Sequence, residues 1–417
     1  MSQLSHLAET LIGSEIVRLG NEINTRISQG EKIYNYTIGD FDPAIFPIPA
    51  ELEEGIVKAY REKYTNYPPG DGVLGLRKAV AGFIQHQLGI SYQPGEVLIA
   101  SGGRPLIYSL FRCIVDRGDK VIYAVPSWNN NHYVHLNDGE HCVVDAAPEN
   151  NFMPLATDIA PHIPGAALLC LCTPQNPTGT TLQKEALERI CDLVLEENRK
   201  RGDGKKLYVM FDQMYFTLTY GDNVHHNPVS LRPEMKEYTI FIDGLSKSFS
   251  ATGLRVGWSL GPSHVIAKMK ALLSHIGAWA PMAEQQAAAA FLQDGEAIEA
   301  YLRTFKAGLE IRLQTIYQGM QELRAKGYKV DAIAPQAAMY LTIKIDVAGM
   351  KHGDTVLQTQ ADVTSYLLSE AKLAIVPFYA FGADKKSPWY RLSVGTAKME
   401  EIPQMFSQLE AALAKLV

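Results

Sequence analysis

Between residues 96 and 261 the chain carries seven short apolar runs separated by polar or helix-patterned segments: EVLIAS (96–101), KVIYAV (120–125), HCVVDA (141–146), ALLCLC (167–172), LYVMFD (207–212), TIFIDG (239–244) and VGWSLG (256–261). Runs this apolar, without polar alternation, suit strands covered on both faces, which is the situation of a mainly parallel sheet wrapped by helices. The segment ALERICDLVLEEN between two of them spaces Leu187, Ile190, Leu193 and Val194 at helical intervals and leaves charge on the other side. The expectation is an α/β domain built on a seven-stranded, mainly parallel sheet.

A chain of 417 residues exceeds the usual size of a single core. After the sheet region come AEQQAAAAFL and a breaker-poor stretch from Gly295 to Lys326, read as a long helix leaving the large domain. The remainder offers the strands YLTIKI, AIVP and YRLSV, with helices around Ala361 to Lys372 and Ile402 to Val417. These predict a smaller α+β domain that the N-terminal segment joins, so that 45–295 form the large domain and 1–44 with 296–417 the small one.

The formal net charge of −6 and the scattered basic residues argue against a nucleic-acid partner. No window has the length of a membrane span, and the N-terminus lacks a secretory pattern, so a cytoplasmic protein is expected. The five cysteines suggest neither a disulfide framework nor a metal site, and Cys170 and Cys172 read as buried thiols.

The chemistry is concentrated in GLSKSFSATGLRVGWSLG. A lysine held at a strand's end over a cleft loses part of its proton affinity if it is desolvated or set beside another cation. Its amine can then condense with an aldehyde. Ser246 and Arg255 flank Lys247 where an anion can be gripped by hydroxyl and guanidinium. Taken alone, the segment also reads as a surface lysine in a Ser-rich loop. It resembles, however, the Ser-Lys-x5-Gly-x-Arg-x-Gly signature of class I aminotransferases, the fold-type I family dependent on pyridoxal 5'-phosphate, and every position of that signature is filled here. The resemblance implies that Lys247 holds the cofactor.

Further matches follow in the order that family requires. Asn176-Pro177-Thr178-Gly179, a good β-turn by its own chemistry, follows the ALLCLC run; by resemblance Asn176 faces the cofactor's phenolic oxygen and the substrate. Asp212 ends an apolar strand, where it reads equally as a helix N-cap; the resemblance sets it against the pyridine nitrogen and makes Tyr215 a donor to the phenolic oxygen. In ASGGRPLIYSLF, a strand, a glycine turn and a helix start aim free N–H groups at an anion. Gly102, Gly103 and Arg104 align with the family's phosphate loop, and Trp128 with the aromatic ring that stacks on the cofactor and borders the substrate. Arg391, in the Arg-Leu-Ser segment, matches the clamp for the substrate's α-carboxylate, and Gly39 lies in the substrate loop. Tyr67 matches a tyrosine that reaches the partner subunit's phosphate, which implies a homodimer with shared active sites.

Gly70-Asp71-Gly72-Val73-Leu74-Gly75 satisfies a dinucleotide-binding pattern but follows the turn-like TNYPP rather than a buried strand, so its glycines are assigned to the turn before a helix. His225-His226 offers no metal spacing. Relatives that prefer aspartate carry a lysine where this chain has Arg104, and a hydroxyl residue two positions after the serine aligned with Ser14 where this chain has Ile16. The expected activity is ping-pong transfer of an amino group from aspartate or a similar dicarboxylic donor to a 2-oxo acid such as 2-oxoglutarate, with Arg104 reading the distal carboxylate. The competing readings are a pyridoxal-phosphate lyase acting on a sulfur amino acid by β- or γ-elimination, and a non-catalytic regulator.

Overall fold

The computed structural model describes residues 4–11, 13 and 15–417, so Ser14 lies outside the described residues. All seven apolar runs form strands of one sheet: β1 (Val97–Ala100), β2 (Lys120–Val125), β3 (Glu140–Asp145), β4 (Ala166–Cys172), β5 (Tyr208–Asp212), β6 (Thr239–Gly244) and β7 (Gly257–Leu260). Their order across the sheet is β1-β7-β6-β5-β4-β2-β3. Strand β7 runs antiparallel to both neighbours while the remaining pairs are parallel. The connection fits this: residues 245–256 form only a four-residue helix and a short 3-10 turn, not a helix that crosses back over the sheet, and β7 returns directly beside β6. That short return is the lysine segment.

The parallel strands β4, β5 and β6 finish at one edge, with Cys172 opposite Asp212 and Asp212 opposite Ile242. Ligands of open α/β sheets bind outside such carboxyl ends. Helices cover both faces. The helix Lys184–Lys200 buries Leu187, Ile190, Cys191, Val194 and Leu195 on one face of the sheet, each large side chain contributing about 1.5–3 kcal/mol on removal from water. The helix Gly103–Ile114 buries Leu106, Ile107, Leu110 and Phe111 on the other.

A second, antiparallel sheet has the order β10-β11-β9-β8, from β8 (Val330–Ala332), β9 (Tyr340–Ile345), β10 (Val376–Pro377) and β11 (Trp389–Ser393). The long helix Gly295–Ala325, capped by the Asp294 carboxylate on Ala297 N at 3.0 Å, buries Leu309, Leu313, Ile316 and Met320 in the core of this sheet. The AIVP run is not one strand. Leu373–Ala374 pairs in parallel with Tyr34–Asn35, while Val376–Pro377 joins β11 at the sheet edge, where a missing N–H is tolerated. Tyr34, Tyr36, Phe41 and Phe46 thereby enter the second core, although Leu19 and Ile23 of the helix Glu15–Ser28 belong to the first.

The glycine pattern at 70–75 serves a turn. Gly72 has φ +88°, a Cβ there would stand 2.5 Å from Ile99, and the helix Leu74–Leu88 begins just behind it. No helix among the described residues is long and apolar enough to cross a membrane. No cluster of His, Cys, Asp and Glu among them is suited to a metal ion.

Candidate active site

A cavity of about 450 Å³ opens between the carboxyl edge of the large sheet and the second sheet. Gly39, Gly103, Arg104, Trp128, Asn176, Asp212, Tyr215, Ser246, Lys247, Arg255 and Arg391 all line it. Lys247 sits in the four-residue helix Leu245–Ser248, and its Nζ donates to Gly39 O at 2.6 Å. Desolvation lowers its pKa from 10.5 to about 8, opposed by the Asp40 carboxylate and aided by Arg391, Arg104 and Arg255. Neutral amine is therefore present near neutral pH, as an aldehyde-binding lysine requires.

Asp212 accepts one backbone hydrogen bond, from Met214 N at 3.1 Å, and has no ion-pair partner among the described residues. Burial pushes its carboxyl up to about 6. A carboxylate at the floor of a cavity without a cation lacks half of a pair, and a protonated ring nitrogen is a group that completes it. Three residues on, the Tyr215 hydroxyl lies 2.8 Å from that of Tyr340.

The anion side is built where two backbones cross. Gly102 has φ +88°, and any side chain there would fall on the Arg255 guanidinium; a Cβ on Gly257 would stand 2.6 Å from the Gly102 carbonyl carbon. These glycines let the helix Gly103–Ile114 start directly beside Ser246 and Arg255, with the unpaired N–H groups of its first turn at the cavity. Arg255 is steadied through Thr252 O (2.8 Å) and Ser101 O (2.9 Å). Arg104 lies over the Trp128 ring at 5.6 Å.

Arg391, on β11, donates to Asn176 Oδ1 (3.0 Å) and Thr37 O (2.6 Å) and is stacked by Tyr340 and Phe381 at 4.8 and 5.0 Å. Its Nε is buried and has no partner among the described residues. Asn176 owes its place to the turn it begins: Gly179 has φ +69° and abuts the Tyr340 carbonyl, and Ala337 N donates to Gly179 O at 2.9 Å. The turn thus docks the large sheet's edge on β9.

Two candidates do not line this cavity: Gly102, which sits just behind Gly103 against Arg255, and Tyr67. Tyr67 is 81% exposed, with its ring edge-on to Trp279 at 5.2 Å. Sequence reasoning assigned no role to Tyr340, Asp40 or Thr252, which also line the cavity. Thr252 and Asp40 join the two walls through a 2.7 Å hydrogen bond. Asp40 and Thr252 lie inside the segments singled out, but Tyr340 merely opens a strand and carries no local signal.

A desolvated lysine, an unpaired buried carboxylate, a phenol and an anion-binding helix start around one cavity define the class: an enzyme of the fold-type I, pyridoxal-phosphate-dependent kind. These residues fit pyridoxal 5'-phosphate: Lys247 would meet its aldehyde, Asp212 its ring nitrogen, and Gly103, Ser246 and Arg255 its phosphate.

The family model for aminotransferase class I and II matches residues 33–409, and the chain belongs to that family. It is 29% identical over 388 residues to an aspartate aminotransferase of Bacillus sp. (strain YM-2), covering 91% of this chain and 92% of the relative. Among solved structures it resembles an aspartate aminotransferase from Rhizobium meliloti in fold, with TM-score 0.91, 23% identity and full coverage of both chains. It also resembles an aspartate aminotransferase from Thermus thermophilus with maleate, with TM-score 0.86 and 26% identity over 99% of this chain and all of the other. The protein is a pyridoxal-phosphate-dependent aminotransferase.

Proposed function

We propose that this enzyme takes the amino group of aspartate or a similar dicarboxylic donor and passes it to a 2-oxo acid such as 2-oxoglutarate by a ping-pong mechanism. The observation that carries the donor class is Arg104, a cation at the wall of the cavity that Arg391 also lines, with no carboxylate partner among the described residues. The likeness to an aspartate aminotransferase with maleate supports a dicarboxylate reading.

Pyridoxal phosphate, once bound, supplies an aldehyde that takes up amines and a ring that withdraws electrons from the bond being broken. Lys247 would hold that aldehyde, and its Nζ, part of it neutral near neutral pH, would be the base that takes the proton from the substrate Cα. Asp212 keeps the ring nitrogen protonated, and Tyr215 and Asn176 attend the phenolic oxygen. Gly102, Gly103, Ser246 and Arg255 hold the phosphate, Trp128 covers the ring face, and Gly39 with Arg391 orients the α-carboxylate. Tyr67, exposed on its own subunit, reaches the phosphate of a second copy, so the working unit is a homodimer. The lobes are 45–295 and the pair 1–44 with 296–417.

The test is an absorbance spectrum of the protein with pyridoxal phosphate, followed as single amino acids are added without an acceptor. Aspartate or glutamate should discharge the cofactor band stoichiometrically, and Lys247→Ala should abolish turnover. Discharge by aromatic or small donors alone would overturn the dicarboxylate reading, and ammonia release without discharge would replace transfer by elimination.

A further inference from the structure

The hydroxyls of Tyr215 and Tyr340 lie 2.8 Å apart in a buried contact between the two lobes. Tyr215 follows β5 in the large sheet, whereas Tyr340 opens β9 in the second sheet, beside the strand that carries Arg391. Neither hydroxyl has another hydrogen-bond partner among the described residues. Burial pushes both hydroxyls above their ordinary range, so both are neutral, proton-bearing groups at working pH.

Two hydroxyls that share one hydrogen bond leave one proton over. If Tyr215 donated, the Tyr340 proton would need an acceptor. The group pressed against the Tyr340 hydroxyl is Gly39, where a Cβ would stand 3.2 Å away, and the Gly39 carbonyl already accepts from Lys247. If Tyr340 donates, the spare proton is that of Tyr215; both side chains line the cavity, but Tyr215 is the one that follows the large-sheet strand ending in Asp212. The Arg391 guanidinium, 4.8 Å from the centre of the Tyr340 ring, draws charge from that phenol and makes it the better donor of the pair.

We propose that Tyr340 is a positioning residue for the reaction: its hydroxyl donates to Tyr215 and thereby sets how strongly Tyr215 donates to the cofactor's phenolic oxygen. Hydrogen bonds in series polarise one another, so a donor behind Tyr215 strengthens the bond in front of it. The same contact ties Tyr215 to the lobe bearing the Arg391 clamp. The inference rests on the reading of Tyr215 as facing that oxygen.

The test uses the cofactor-loaded enzyme and the pH at which its visible band changes form. In the high-pH form the phenolic oxygen has lost the proton it shared with the lysine linkage, so a donor at that oxygen favours this form and lowers the midpoint. Tyr340→Phe, which removes only the hydroxyl, should raise the midpoint by roughly half a unit, and Tyr215→Phe by about one unit or more. The double variant should match Tyr215→Phe alone. A fluorinated tyrosine at 340, a stronger donor of nearly the same shape, should lower the midpoint, a reversal that lost packing does not produce. The proposal is overturned by an unmoved midpoint in Tyr340→Phe, by a shift that adds to that of Tyr215→Phe, or, should Tyr340→Phe not fold, by a fluorotyrosine enzyme whose midpoint stays or rises. A Tyr215→Phe midpoint equal to that of the native enzyme removes the underlying reading of Tyr215 as well.

Discussion

Lys247 Nζ donates to the carbonyl oxygen of Gly39 at 2.6 Å, so the lysine at the end of the large sheet is held by a loop that enters from the N-terminal side of the chain. One carbonyl does not replace the water an ammonium loses on burial, and the pKa falls to about 8. Uptake of pyridoxal phosphate by the cofactor-free protein should therefore follow the neutral amine and accelerate about fivefold between pH 7 and pH 8. The native lysine binds its proton less tightly than the unfolded one, so its burial penalty is complete below pH 8 and fades as pH rises towards 10.5. The stability of Lys247→Met relative to the native protein, both without cofactor, should fall by up to about 3 kcal/mol across that window. A pH-independent uptake rate in stopped-flow, or a difference in unfolding free energy that stays flat above pH 8, would count against the depressed lysine.

Asp212 has the opposite linkage. Its carboxyl titrates at about 6 instead of 3.8, so the cofactor-free native state binds a proton more tightly than the unfolded chain and loses stability as pH rises through that interval. Asp212→Asn should stabilise the cofactor-free protein at pH 7 by up to about 3 kcal/mol, with the gain vanishing below pH 4. In the loaded protein the sign reverses, because asparagine cannot balance a protonated ring nitrogen, and cofactor affinity should drop at least about 100-fold. Denaturation with and without cofactor reads both effects. Tighter cofactor binding by the asparagine variant would refute the pairing of Asp212 with the ring.

The parts of this site legible in the sequence are those whose chemistry is local. Lys247, Asp212 and Asn176 each follow an apolar run that had to be a strand, so their shared edge followed from strand direction alone. The antiparallel return of β7 and the crossing of Gly102 on Gly257 were not legible, because each depends on which distant segment lies alongside. Tyr340 was not legible, because its partner is 125 residues away and nothing in YLTIKI distinguishes a tyrosine of the cavity from one of the core. The split of AIVP was hidden for a related reason: four apolar residues do not reveal that Ala374 pairs with the N-terminal segment while Val376 and Pro377 pair with β11.

Arg104 and Trp128 form a wall in which a cation rests 5.6 Å from an aromatic face. A distal carboxylate offers Arg104 a charge-assisted, bidentate partner, whereas an aromatic or alkyl side chain offers none. Arg104→Leu should reduce kcat/KM for aspartate roughly 100-fold, since a hydrogen-bonded charge pair contributes about 1.5–3 kcal/mol, and leave phenylalanine within about threefold. Ile16→Thr, which places a hydroxyl in the same cavity, should raise kcat/KM for aspartate. Equal losses for both donors in Arg104→Leu would mean that Arg104 serves the phosphate or the fold and not substrate choice.

Tyr67 tests whether sites are shared. Its side chain is 81% exposed and stands outside its own subunit's cavity, so a contribution to catalysis requires a second copy of the chain. With sites shared in a homodimer, Lys247→Ala and Tyr67→Ala should each impair every site of their own dimers, the first through the lysine and the second through the neighbour's phosphate. When the two variants are mixed and exchange subunits, each hybrid dimer holds one site that lacks both residues and one that has both. Statistical exchange makes roughly half the dimers hybrid, so roughly a quarter of all sites should become native and activity should reappear to that level. If Tyr67 acted only within its own chain, the hybrid would regain nothing beyond the Tyr67→Ala background. Activity measured against mixing time, with subunit exchange followed independently by a mass-tagged chain, separates failure to exchange from absence of sharing.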